Sequence, residues 1–216
     1  MSNPVFTIGH STHAIEYFID LLKRHSVNVV ADVRSTPFSR MNPDFDQKAL
    51  TDHLKKHGIN YVFLGRELGA RPQDACCYTS EVRVDYDKLA VTSLFQAGLE
   101  RVIEGAKNYR IALMCAERAP LDCHRSVLIS RYLADKMVSV NHITSEGHAV
   151  AHNDLVAQLV AHYFPEGMAE LRSPAEKIAE AYRIHGRLIA FHVKTTEKSP
   201  KKIVEKHTNQ IDMFAA

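Results

Sequence analysis

Two cysteines, a glutamate, a histidine and four arginines crowd into one short stretch of this chain, RIALMCAERAPLDCHRSVLISR from Arg110 to Arg131. Cys115 and Glu117 close a short apolar run that reads as a buried strand of a parallel sheet. Cys123, His124, Arg125 and Ser126 follow the break at Pro120, Leu121 and Asp122, and apolar residues then recur at helical spacing through Val127, Leu128 and Leu133. These four are therefore expected in the first turn of a helix, where free backbone amides and the positive dipole end favour an anion.

Three kinds of chemistry are open to such a set. Cys115 and Cys123 are candidate thiol nucleophiles, because a helix start and nearby Arg or His lower a thiol pKa. A phosphatase- or rhodanese-type loop fits poorly: Leu121 stands where the arginine at the far end of the loop is needed. Metal binding by Cys115, Cys123, His124 and His10 is the weakest reading, since seven residues between the cysteines is not a usual zinc spacing; no metal and no cofactor is expected. Glu117 and Asp32, with His10, are the acid–base candidates, a carboxylate at a crevice mouth serving as base or nucleophile. Arg34, Arg66 and Arg125, with Ser11 and His124, suit a phosphate. The bland alternative is that the carboxylates pair with those arginines and only hold loops together. The adjacent Cys76 and Cys77 read as incidental.

The elements that must position these groups alternate in type. Strands are expected at Val5–Ile8, Val27–Ala31, Ile59–Leu64, the Arg110 stretch and Val138–Ile143. Helices are expected over 15–25, 45–57, 95–106, 123–133 and 153–162. The segment running to Asp85 shows neither period and is expected to lie over the site. This alternation predicts a doubly wound α/β fold on a mainly parallel five-stranded sheet, with the ligand crevice beyond the carboxyl ends of the strands. Those ends read Gly-His-Ser, Asp-Val-Arg, Gly-Arg-Glu, Cys-Ala-Glu and Thr-Ser-Glu.

Residues 1–164 are expected to form the α/β domain and 165–193 a helical extension that packs on it or on a second copy. Residues 194–216 are expected to be a flexible, lysine-rich tail. With 216 residues, 45% hydrophobic, 24% charged and a net charge of only +2, the chain can bury a real core and does not imply strong nonspecific nucleic-acid binding. No apolar run approaches the roughly 18 residues of a membrane span. MSNPVFTIGH lacks the features of a secretory signal, and four cysteines, two of them adjacent, make a poor disulfide framework. A reduced, cytoplasmic protein is expected.

Gly9-His10-Ser11, Asp32-Val33-Arg34 with Pro37 and Ser39, Leu64-Gly65, and Met114-Cys115-Ala116-Glu117 with Pro120 and Cys123-His124-Arg125 together resemble the DUF488 family over about residues 4–163. The resemblance implies an α/β domain and supports these positions as one site, without supplying a reaction. Separately, Gln210-Ile211-Asp212-Met213-Phe214 is similar to the pentapeptide with which bacterial DNA polymerases and repair proteins dock on the sliding clamp. Met213 and Phe214 would be its apolar anchors, Gln210 its directional hydrogen bond. The expected function is thus an enzyme acting on DNA or a nucleotide, recruited to replication or repair through its tail. A non-catalytic nucleic-acid-associated adaptor and a thiol-based redox or sulfur-transfer protein are the alternatives.

Overall fold

A computed structural model of the chain describes residues 2–39, 41–165 and 171–193. The pentapeptide Gln210–Phe214 and its lysine-rich linker lie outside them. Six strands build one sheet: β1 (Val5–Gly9), β2 (Val29–Asp32), β3 (Asn60–Phe63), β4 (Ile111–Cys115), β5 (Val140–Ile143) and β6 (Ala149–Ala151), in the order β3-β2-β4-β1-β5-β6. The first five are parallel, and β6 runs antiparallel to β5. The expectation of five strands is corrected by one. β6 is three residues long and reached by a turn in which Gly147 takes a φ of +92°, so no alternating pattern announced it.

Strand alternation sorts side chains to two faces. Phe6, Ile8, Val30, Ala112 and Met114 pack with α1 (Ile15–Arg24) and α2 (Gln47–Lys56). Val5, Ala31, Val33, Leu113 and Cys115 pack on the other face. That face is covered by α3 (Gly65–Leu68), α4 (Tyr86–Ala90), α5 (Ser93–Ala106), α6 (Arg131–Asp135), α7 (His152–Tyr163) and α8 (Pro174–Ile189). The chain is doubly wound, and its central strands, β2-β4-β1, carry the Asp-Val-Arg, Cys-Ala-Glu and Gly-His-Ser ends side by side. Among the described residues no helix is long and apolar enough to cross a membrane.

Three further expectations change in detail. The helix expected over 45–57 is α2, starting at Gln47; Phe45 instead ends a 3-10 turn, Pro43–Phe45, set off by extended Asp46. The segment to Asp85 is not a cover over the site. Cys77 and Val84 are buried in the core, and residues 82–84 bond to the backbone after α8. The extension settles on this domain: Ala181, Tyr182 and Gly186 of α8 are buried, and Ser173 caps its start with a reciprocal Glu176 bond.

Candidate functional site

The carboxyl edge holds two clusters, one on each face. On the α1–α2 side, Arg34 grips Asp32 with two nitrogens, Nε to Oδ1 at 2.9 Å and Nη2 to Oδ2 at 2.6 Å. Tyr61 donates its hydroxyl to the same carboxylate at 2.9 Å, and Arg34 Nη2 also reaches the Phe45 carbonyl at 2.8 Å. His10 stacks on Phe45 and offers Nε2 to Arg34 Nη1 at 3.3 Å, while its Nδ1 donates to the Ser11 carbonyl. Burial, then the Arg34 charge, pushes His10 down to about 4, so it stands neutral. Asp32 and Arg34 are both buried. The pair is closed, and His10 works as its packing partner.

On the opposite face, Cys115 ends β4, and the register Gly9↔Cys115 sets it beside β1. A Cβ at Gly9 would overlap the Glu117 carbonyl oxygen. That position must be glycine for the 116–118 loop to pass, which is the physical content of the Gly-His-Ser motif. Ser11 next door takes a φ of 47°, a left-handed conformation, and donates its amide to the Ala116 carbonyl at 3.0 Å.

The helix after Pro120 does not start as an ordinary α-helix. Arg125–Ser130 form a π-helical turn that runs into α6. Ser130 Oγ donates to the Arg125 carbonyl at 2.7 Å, reinforcing the wide turn across five residues. Such turns are rare and concentrate at functional sites. Here the turn brings Cys123, His124 and Arg125 against β4. Cys123 Sγ lies 3.0 Å from Glu117 Oε2 and 3.6 Å from His124 Nδ1, and Cys115 Sγ is 3.8 Å from the same nitrogen. His124 Nε2 must donate to the Val33 carbonyl at 3.1 Å, so Nδ1 is the nitrogen that faces both sulfurs.

Arg125 is the unusual member. It is 0% exposed, its Nη1 and Nη2 donate only to the Glu117 and Arg118 carbonyls, and its Nε has no partner. No carboxylate bonds to it among the described residues. Its own backbone amide donates to Cys123 Sγ at 3.4 Å. A buried cation needs an anion, and the Arg125 charge acts on the Cys123 sulfur. Burial pushes the Cys123 thiol up, but its contacts with Cys115, Arg125 and His124 outweigh that and hold it well below the usual range. Cys115, bonded to Cys123 and buried, moves well above it. Glu117 is raised by burial and by the Cys123 charge. As a residue Glu117 is exposed, yet its carboxyl turns inward onto the sulfur. The thiol is placed to donate to that carboxyl, and the Arg125 charge favours the sulfur as an anion. Burial lowers His124, but the Cys123 charge raises it more.

Of the remaining expected residues, Ser11 sits half-buried at the rim and Arg66 is exposed with no hydrogen bond or ion pair among the described residues. Asp32 and Glu117 are on opposite faces of the sheet and do not form an acid–base pair. Arg34 and Arg125 are committed to partners within the protein. Tyr86 is a residue that the sequence reading missed. It stands near enough to Cys123, Glu117 and Cys115 for their charges to add to the effect of burial, which together raise its hydroxyl. Only the capping by Asp85, whose side chain accepts from Asp87 and Lys88, marks that helix in the sequence. His185 of α8 braces the loop from outside, donating Nε2 to the Leu121 carbonyl at 3.0 Å. Behind the site a buried chain runs from Thr7 through His142 and His152 to Tyr182, with contacts of 2.8, 2.9 and 3.0 Å. Burial, then His152, pushes His142 down to about 3, and burial takes His152 to about 4.

Fold and site together define an α/β protein with a buried thiol centre at the carboxyl edge of its sheet. A family model described as "Domain of unknown function DUF488" matches residues 14–132, more than half of the chain, and the protein belongs to that family. The match includes Asp32, Arg34, Cys115, Glu117, Cys123, His124 and Arg125 but not the Gly9-His10-Ser11 motif. No curated protein and no solved structure matches the chain.

Proposed function

We propose that the chain is a thiol-nucleophile enzyme, with nucleic acid or a nucleotide as its substrate. The observation that carries this reading is the fully buried Arg125, bonded to no carboxylate among the described residues, whose backbone amide donates to Cys123 Sγ and whose charge acts on that sulfur. In the reaction the Cys123 sulfur attacks an electrophilic centre, a bond from sulfur to substrate forms, and the bond to the leaving group breaks. Glu117 hands its proton to that leaving group and then, as carboxylate, activates the water or acceptor that releases the product. Cys115, protonated behind the nucleophile, keeps a second sulfur within reach. Arg66, exposed at the same edge and without a hydrogen bond or ion pair among the described residues, is available to a substrate phosphate.

Alkylation with iodoacetamide, followed residue by residue in a mass spectrometer, tests the nucleophile. Cys123 is expected to react at pH 6 at least about tenfold faster than exposed Cys76. A Cys123 that reacts only as the pH nears about 8.5 would behave as an ordinary thiol and sink the reading. The substrate class is tested by turnover and binding screens with DNA, RNA and nucleotides, using Cys123→Ser as the control. An adaptor is favoured by one observation, the Asp32–Arg34 closure, which removes one of the two expected acidic groups from any open pocket. Function that persists fully in Cys123→Ser would decide for it.

Recruitment to a sliding clamp through Gln210–Phe214 belongs to the same proposal and rests on the sequence of the tail alone. A labelled Lys201–Ala216 peptide is expected to bind purified clamp at micromolar concentration and to lose binding when Met213 and Phe214 become alanine. Binding that ignores that change would remove the docking claim.

A further inference from the structure

We propose that Cys115, Cys123 and His124, closed by Glu117, form a binding site for a soft divalent cation of the zinc class. The inference concerns the side chains of the thiol reading but does not depend on it. Three ligand atoms, two sulfurs and the Nδ1 nitrogen, lie within 4.8 Å of one another, and all three residues are buried. In a tetrahedral site with bonds of about 2.3 Å to sulfur and about 2.0 Å to nitrogen, each sulfur–nitrogen edge is about 3.6 Å. The two edges here are 3.6 and 3.8 Å. Glu117 Oε2, 3.0 Å from Cys123 Sγ, stands where a fourth ligand or a water it holds completes the set.

Two further features suit a metal. His124 is oriented by its Nε2–H bond to the Val33 carbonyl, the outer contact that fixes ring and tautomer in histidine ligands. The charges also balance. Two thiolates and one carboxylate bring three negative charges; the divalent cation and the Arg125 guanidinium bring three positive ones. The seven-residue gap that argued against zinc in the sequence is bridged by the fold. The ligands come from a strand end and a helix start brought together by the sheet, so no short cysteine knuckle is needed. On binding, the thiols release their protons to solvent, and the lone pairs of the two sulfurs and of His124 Nδ1 go to the metal. Occupancy therefore masks the nucleophile, and the cation acts as a reversible block.

The test is titration of the reduced full-length protein, carrying Cys76→Ala and Cys77→Ala to silence the other thiols, with Cd²⁺ and Zn²⁺ alone. One equivalent of Cd²⁺ is expected to give the ultraviolet cadmium–thiolate band, lost in Cys115→Ser and in Cys123→Ser proteins shown to be folded by circular dichroism. Glu117→Gln should weaken binding about tenfold or more. One equivalent of Zn²⁺ should slow alkylation of Cys123 at least about tenfold, and a chelator should restore it. No band at one equivalent, or a band indifferent to both serine changes, overturns the site. If the band is absent while Cys123 alkylates rapidly at pH 6, the metal inference alone fails. If the band is present and metal-free Cys123 is inert, the metal site stands and the nucleophile falls.

Discussion

Asp32 with Arg34 and Cys123 with Arg125 hold the same kind of arginine at the same edge of one sheet, on opposite faces. In the first cluster every strong donor has its acceptor: Asp32 takes the guanidinium twice and the Tyr61 hydroxyl once. In the second, a buried arginine holds two backbone carbonyls, leaves Nε without a partner among the described residues and gives its backbone amide to a sulfur. Reactivity is expected where charge and hydrogen-bonding capacity are left over. A carboxylate already satisfied by an arginine and a phenol has little to offer a substrate, whereas a thiol hydrogen-bonded to a rim carboxyl has much.

The comparison breaks most visibly if its closed half is opened. Asp32→Ala leaves Arg34 buried and unpaired, and should cost about 3–5 kcal/mol in denaturant titration. Reactivity of Cys123 in the protein that remains folded should hold. If it falls as steeply as stability does, the two clusters are one unit and the contrast is false.

A second effect comes with acid. His10, His142 and His152 are held neutral, at about 4, about 3 and about 4, below the usual 6.5. The unfolded chain therefore binds more protons than the folded one between about pH 4 and 6.5. Their contribution is whole above pH 6.5 and is lost as the pH falls through that window. Melting curves across it should show stability declining with acid. His152→Gln should flatten the slope, and an unchanged slope would mean that the chain from Thr7 to Tyr182 carries none of it.

The sequence made much of this legible. Apolar runs and their spacing located the five parallel strands, and the strand ends named most of the residues now found at the edge, because a buried parallel strand advertises itself and its end must turn polar. What alternation could not say is which face each end serves. Asp32 and Glu117 both read as acid–base candidates of one site because sequence order carries no record of the sheet between them. The π-helical turn was equally hidden: Val127, Leu128 and Leu133 fit an ordinary helix, and the five-residue bond from Ser130 to Arg125 appears only in three dimensions. Tyr86 came from a stretch without periodicity, fixed by contacts with α8, where a Cβ at Gly186 would sit 3.2 Å from its ring.

The smallest effect expected is also the one that sharpens the contrast most. Arg34 and Arg125 are spent on the protein, and Arg66 is not. It is exposed on α3, beside Gly65, where a Cβ would overlap the Arg34 carbonyl oxygen, so the backbone that carries it is pressed against the closed cluster while its side chain stays free. Arg66→Ala should leave stability within about 0.5 kcal/mol, as for a surface residue without partners. It should leave the pH profile of Cys123 alkylation unmoved, since Arg66 is not among the groups that act on that sulfur. What it should change is affinity for a phosphate-bearing ligand, weakened uniformly across sequences and with a shallower salt dependence, as measured by DNA and nucleotide titrations at several ionic strengths. A stability loss of several kcal/mol would place Arg66 with the structural arginines. Unaltered binding at every salt concentration would leave the edge without an arginine for phosphate and weaken the nucleic-acid half of the proposed function.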